Sequence, residues 1–108
     1  NRQINKYRNS KAVQIVKKLL DQGDGELTAS VDDIIQASNW IGSGALKIYD
    51  TPQAVGKELA GYVELFHEVD NIIAMQNKKD GRGKRSWTYK TYAVNAVNAV
   101  DSQQSLDL

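Results

Sequence analysis

Apolar residues recur along this chain with two different periods. Over residues 11–20 they follow helical spacing: Ala12, Val13, Val16, Leu19 and Leu20 fall near one face, with Lys11, Lys17 and Lys18 off it. Ser10 offers a capping hydroxyl at the start of that helix, and Gly23 and Gly25 end it. Glu26 to Ala29 predicts one short strand. A second helix begins at Ser30, with Asp33 three residues on, close to a capping box. Asp32 and Asp33 also stand where the helix dipole favours anions. Val31, Ile34, Ile35, Ser38 and Ile41 line its inner face, with Trp40 at the core margin, and Gly42-Ser43-Gly44 breaks the pattern. Ala45 to Asp50 reads as a connector with room for one helical turn.

Thr51-Pro52 marks the clearest helix start: a capping hydroxyl followed by the chain's one proline at the first helical position. Val55, Leu59, Tyr62, Val63, Phe66 and Val69 continue a helical stripe, which predicts one helix over 51–69 closed by Asp70-Asn71. The period then drops to two. Ile72 to Gln76 and Arg85 to Tyr92 read as strands flanking a polar loop, Asn77 to Lys84, in which Asp80-Gly81 favours a turn with positive φ. Trp87, Tyr89 and Thr91 share one face of the second strand. Trp87 is read first as core packing and second as a base-stacking surface; Tyr62 and Phe66 are read as core. Residues 1–9 are polar and basic and predict a flexible arm. Residues 93–108 predict a flexible tail, which leaves one folded unit over 10–92.

A chain of 108 residues is long enough to bury a core without staples. It has no cysteine, so disulfides and thiolate metal sites are excluded, in keeping with a cytoplasmic protein. No apolar run approaches the ~18 residues of a membrane span. A start at Asn1 suits a domain of a longer protein. The net charge of +1 hides a segregation. Residues 1–20 carry six cations and no acid; residues 21–71 carry ten acids against Lys47 and Lys57; residues 72–92 carry six cations against Asp80. Two basic ends around an acidic middle form one basic face if they meet in space.

The hairpin is where that charge points to chemistry. Lys78, Lys79, Arg82, Lys84 and Arg85 surround a glycine-rich turn, an arrangement that can follow a phosphate backbone or enter a minor groove. Arg2, Lys6 and Arg8 could add a basic arm. Catalysis has little to stand on. His67 is the one histidine, and neither Gly42-Ser43-Gly44 nor Gly81-Arg82-Gly83 carries the Lys-Ser/Thr of a phosphate loop. The expectation is a non-enzymatic module without metal or cofactor.

The order helix, short strand, helix, helix, strand, basic loop, strand resembles a winged-helix domain: an α+β fold with a three-helix core, a small antiparallel sheet and a β-hairpin wing. The stretch TPQAVGKELAGYVELF, followed by an apolar strand, KKDGRGKRSW and a second strand, is similar to the C-terminal winged-helix domains of phage and plasmid primase–helicase proteins. The connector Gly42 to Asp50 is longer than a tight helix-turn-helix turn, and Glu64 and Glu68 make the end of the third helix acidic. The resemblance implies that the start of the third helix meets DNA, which selects Gln53 and Lys57, with Ala54 beside them, for base or phosphate contact. It implies a duplex or single-stranded DNA partner, and other domains or subunits of a replication protein. Two other functions remain open at this point: a protein-interaction winged helix using Asp32, Asp33, Glu64 and Glu68, and a transcription regulator.

Overall fold

The computed structural model describes residues 2–41, 44–79, 81 and 85–92. Among these residues five α-helices and three strands follow one another as α1 (Arg2–Asn9), α2 (Lys11–Gln22), β1 (Glu26–Ser30), α3 (Val31–Ser38), α4 (Pro52–Gly61), α5 (Val63–Asp70), β2 (Ile72–Gln76) and β3 (Ser86–Thr91). A 3-10 turn, Gly44–Leu46, lies in the connector before α4. The fold is α+β, with a small antiparallel sheet in the order β1-β3-β2. The last strand is therefore the central one. Leu27 stands opposite Tyr89, and Ala74 pairs with the same residue from the other side.

Three side-chain caps fix the helix starts. Ser10 Oγ accepts from Val13 N at 3.3 Å, and Thr51 Oγ1 accepts from Ala54 N at 3.2 Å. At Ser30 the capping box is complete, since Asp33 N donates to Ser30 Oγ and Ser30 N donates back to Asp33 Oδ2. Ser10 does a second job: its hydroxyl donates to the Glu58 carboxylate and ties the start of α2 to α4. Buried Ser38 pins the connector in the same way, donating to Ile35 O and accepting from Ile48 N.

The turn from α2 into β1 depends on glycine. Asp24 and Gly25 both have positive φ, 59° and 89°. A Cβ on Gly25 would run into Thr91 Oγ1, because the end of β3 docks there: Thr91 N donates to Gly25 O at 2.8 Å. The sheet is thus closed onto the helical layer at this turn.

The core lies between α2, α3, α4, α5 and the inner face of the sheet. Val13, Ile15, Val16, Ile34, Val55, Leu59, Phe66 and Tyr89 are all fully or nearly fully buried there. Three expectations need correction. Residues 2–9 form helix α1 and not a flexible arm, because Tyr7 is fully buried. Its ring meets Tyr62 and Phe66 edge-on at 5.6 and 5.3 Å. Its hydroxyl donates to Asp70 Oδ2 at 2.5 Å, and Lys17 pairs with the other oxygen of that carboxylate at 3.2 Å. The three-helix core consequently gains a helix at its front.

The helix expected over 51–69 is two helices. Tyr62, at φ −102° and ψ 8°, separates α4 from α5, and its N–H donates to Leu59 O, one residue tighter than an α-helical bond. Gly61, a weak helix former, stands just before the break. Trp40 is the third correction: it is 66% exposed, lying beyond the end of α3, while the neighbouring Ile41 is buried as its spacing predicted. The tail at 93–108 lies outside the described residues. No helix among the described residues is long and apolar enough to cross a membrane.

Candidate nucleic-acid interface

Helix α4 has two faces of opposite character. Val55 and Leu59 point into the core, while Gln53 and Lys57, one turn apart, are exposed on the other side. Pro52 and the Thr51 cap set where that outer face begins, so the position of Gln53 follows from the local sequence.

The hairpin comes up beside this face. Gln76 is paired with Trp87 at the end of the β2–β3 ladder, and Asn77 N donates to Ser86 O just beyond it. Asn77 Nδ2 also reaches Ser86 Oγ and Thr88 Oγ1, both at 3.0 Å, and Thr88 Oγ1 lies 3.1 Å from Thr28 Oγ1. These polar bonds knit the outer face of the sheet and fix the base of the loop. Trp87 stands 6.3 Å from Tyr89, ring stacked on ring. It is half-buried, so it is neither wholly core nor a free platform.

Between α4 and the hairpin runs an open groove of about 520 Å³. Gln53, Gly56, Lys57 and Ala60 form one wall; Gln76, Arg85 and Trp87 form the other, with Val31 at the floor. Gly56 keeps that floor low, with Val31 Cγ2 at 3.5 Å from where its Cβ would stand. Three residues singled out in the sequence, Gln53, Lys57 and Arg85, are thus brought to one cleft from two elements. Among the described residues no ion pair holds Lys57 or Arg85, so both charges are open to a ligand. Lys78 and Lys79 are exposed in the loop beyond the end of β2 and do not line the groove. Arg82 and Lys84, and the turn residue Asp80, lie outside the described residues.

Gln76 is a polar lining residue that the sequence did not single out. Only the register, which sets it opposite Trp87, brings it to the groove. The basic residues at the front of the chain do not join this cleft. Arg2 and Lys6 line a different groove, on the side of α4 that carries Val55 and Glu58, with Tyr62 just past its end, and the two grooves share no residue. The basic ends therefore form two surfaces and not one. Compared with family models, curated proteins and solved structures, the chain matches none.

The perturbed groups among the described residues are three tyrosines, none of which lines the groove between α4 and the hairpin. Burial, helped by the Asp70 carboxylate, raises the Tyr7 hydroxyl far above its ordinary value. Burial alone raises Tyr89, whose hydroxyl has no hydrogen-bond partner among the described residues. Burial and then the Glu58 carboxylate raise Tyr62. None of the three is set for proton transfer near neutral pH. Among the described residues no cluster of His, Asp and Glu is arranged to hold a metal ion. What the groove offers is recognition: two amides that can both donate and accept, two cations with no ion pair among the described residues, and a half-buried indole.

Proposed function

We propose that this chain is a DNA-binding module of the winged-helix type, without catalysis of its own. The start of α4 approaches a groove of the duplex, and the hairpin acts as the wing that holds the adjacent backbone. The observation that carries this reading is the convergence of Gln53, Lys57 and Arg85 on one cleft between α4 and β3. The strand order β1-β3-β2, and the way α4 and the hairpin line opposite sides of one groove, agree with it. In this arrangement Gln53 can pair with an adenine edge, while Lys57 reaches a guanine or a phosphate. Arg85 and the exposed Lys78 and Lys79 supply phosphate contacts, with Arg82 and Lys84 as further candidates from the sequence. Affinity comes mainly from the backbone, and sequence discrimination is modest. A replication protein of a phage or mobile element, cytoplasmic and carrying an ATPase elsewhere, is the parent we favour.

Titration of duplex DNA at two salt concentrations tests the reading. Four to six phosphate contacts predict a loss of roughly 10²–10³-fold in affinity between 50 and 200 mM salt. Lys57→Glu with Arg85→Glu is expected to weaken duplex binding at least about tenfold while the thermal unfolding curve stays in place. Absence of binding at low salt, or a variant that binds within twofold of the parent, sinks the proposal.

A second reading rests on a different surface. Ile73 and Met75 on the edge strand β2 are exposed, and a groove of about 360 Å³ beside them is lined by Val63, Ile72 and Ala74 with Glu64 and Glu68 at its rim. That combination suits an extended basic, apolar segment of a partner protein or subunit. Asp32 and Asp33 do not line it, so the acidic middle of the chain is not a single docking face. Loss of partner capture in Ile73→Lys, with DNA binding intact, would support this second role; unchanged capture would remove it.

A further inference from the structure

A second groove, of about 600 Å³, lies on the far side of α4 from the hairpin. One wall is α1. Arg2, Asn5, Lys6 and Asn9 recur at helical spacing and therefore share one face, and all four line the groove. That face is held rigidly, because Tyr7 on the same helix is locked between Tyr62, Phe66 and the Asp70 carboxylate. The other wall carries Tyr49, a large aromatic that is 78% exposed. Its ring has Lys11 Nζ at 5.9 Å and Lys47 Nζ at 5.3 Å from the centroid, and Lys11 Nζ also donates to Lys47 O at 3.3 Å.

We propose that this groove binds single-stranded nucleic acid, with an unpaired base on the Tyr49 ring and the backbone phosphates on Arg2, Lys6 and Lys11. Proteins that hold single strands combine a cationic track with an exposed aromatic on which a base stacks. Here both parts occur together, and the amides of Asn5 and Asn9 add donors and acceptors for base edges. A duplex fits this site poorly, since its bases are already stacked and present no open face to Tyr49. An acidic peptide would meet the cations but leave the ring unused. Two carboxylates also line the groove, Asp50 and Glu58, and the second already accepts the Ser10 hydroxyl. They would turn a peptide's carboxylates away as they do any anion, so the aromatic ring is what favours a nucleotide. The two surfaces would let one domain grip a duplex on one side and an unpaired strand on the other.

The test uses the whole chain and two labelled probes at low salt, an oligothymidylate of about 15 nucleotides and a duplex, read by fluorescence anisotropy. Tyr49→Ala with Lys6→Glu is expected to weaken the single strand at least fivefold and to leave the duplex within twofold. Lys57→Glu with Arg85→Glu is expected to do the reverse. Tyr49→Phe, which keeps the ring, should retain single-strand affinity within twofold. All the substituted side chains are exposed, so the variants should fold, and their melting curves verify it. Single-strand binding unchanged in the Tyr49 and Lys6 variant overturns the proposal, whether or not the duplex binds. So does polyglutamate that displaces the oligonucleotide as well as unlabelled oligonucleotide does, which would assign the groove to an acidic peptide.

Discussion

The two basic ends of this chain have similar composition and opposite structural fates. Residues 2–9 carry three cations and fold into a helix anchored in the core. Residues 77–85 carry five cations and an acid, and the described part of that segment is loop, exposed beyond Asn77. Charge does not separate them. The front segment has Ile4 and Tyr7 at helical spacing, and Tyr7 reaches two aromatic rings and a carboxylate. The hairpin segment has no apolar residue between Gln76 and Ser86 with which to do the same. One buried aromatic thus decides whether a basic stretch belongs to the fold or only to the surface.

The strongest way to break that contrast is to remove the aromatic. Tyr7→Ala is expected to cost about 3–5 kcal/mol, as other large-to-small core changes do, measured from the urea unfolding midpoint. Helical signal should fall as α1 detaches. A loss below about 1 kcal/mol would mean that α1 rests on the domain without holding it, and the two ends would then be alike.

How much of this was legible beforehand follows from the same physics. The caps at Ser10, Ser30 and Thr51 were readable because a hydroxyl and its bonded N–H lie within three residues of each other. The break at Tyr62 was not, because Val55, Leu59, Tyr62 and Phe66 keep helical phase straight through it. Only Gly61 hinted at it. Trp40 was misplaced because a large aromatic next to the buried Ile41 was read with it, although α3 ends at Ser38 and leaves Trp40 outside the core. Of the candidate site, Gln53, Lys57 and Arg85 could each be named singly. Their meeting required the central placement of β3 and the Gln76–Trp87 register, and these are long-range facts. The separation of Arg2 and Lys6 from the hairpin is of the same kind.

A finer change sharpens the role of Tyr7. Tyr7→Phe keeps the ring and removes the donor to Asp70, which still has Lys17 at 3.2 Å. The expected cost is about 1–3 kcal/mol, typical of a hydrogen bond to a charged group. The variant also changes the alkaline limb of stability. Tyr7 is raised above its ordinary value of 10.0 by burial and by Asp70. Its contribution is complete below that value and drains away as pH rises through the ordinary value toward the folded one. Phe at this position should therefore flatten part of the fall in unfolding midpoint between about pH 9 and 11. Tyr62 and Tyr89, also raised, keep the remainder. Equal alkaline slopes in the two proteins would show that Tyr7 ionises alike in the folded and unfolded chain, its hydroxyl not being buried in solution.

The smallest expected change in stability comes from the hairpin. Lys78 and Lys79 are exposed and have no ion-pair partner among the described residues. Lys78→Glu with Lys79→Glu should move stability by no more than about 0.5 kcal/mol, the usual range for surface sites without a named contact. Duplex affinity should nevertheless fall, because two phosphate contacts become two repulsions, and the slope of affinity against salt should become shallower by about 2. The two readouts together carry the argument. Lost affinity with retained stability marks the loop as a surface for polyanions, set apart from the helix at the other end of the chain. Lost stability would mean that the hairpin cations are part of what holds the sheet, and neither basic end would then be free of the fold.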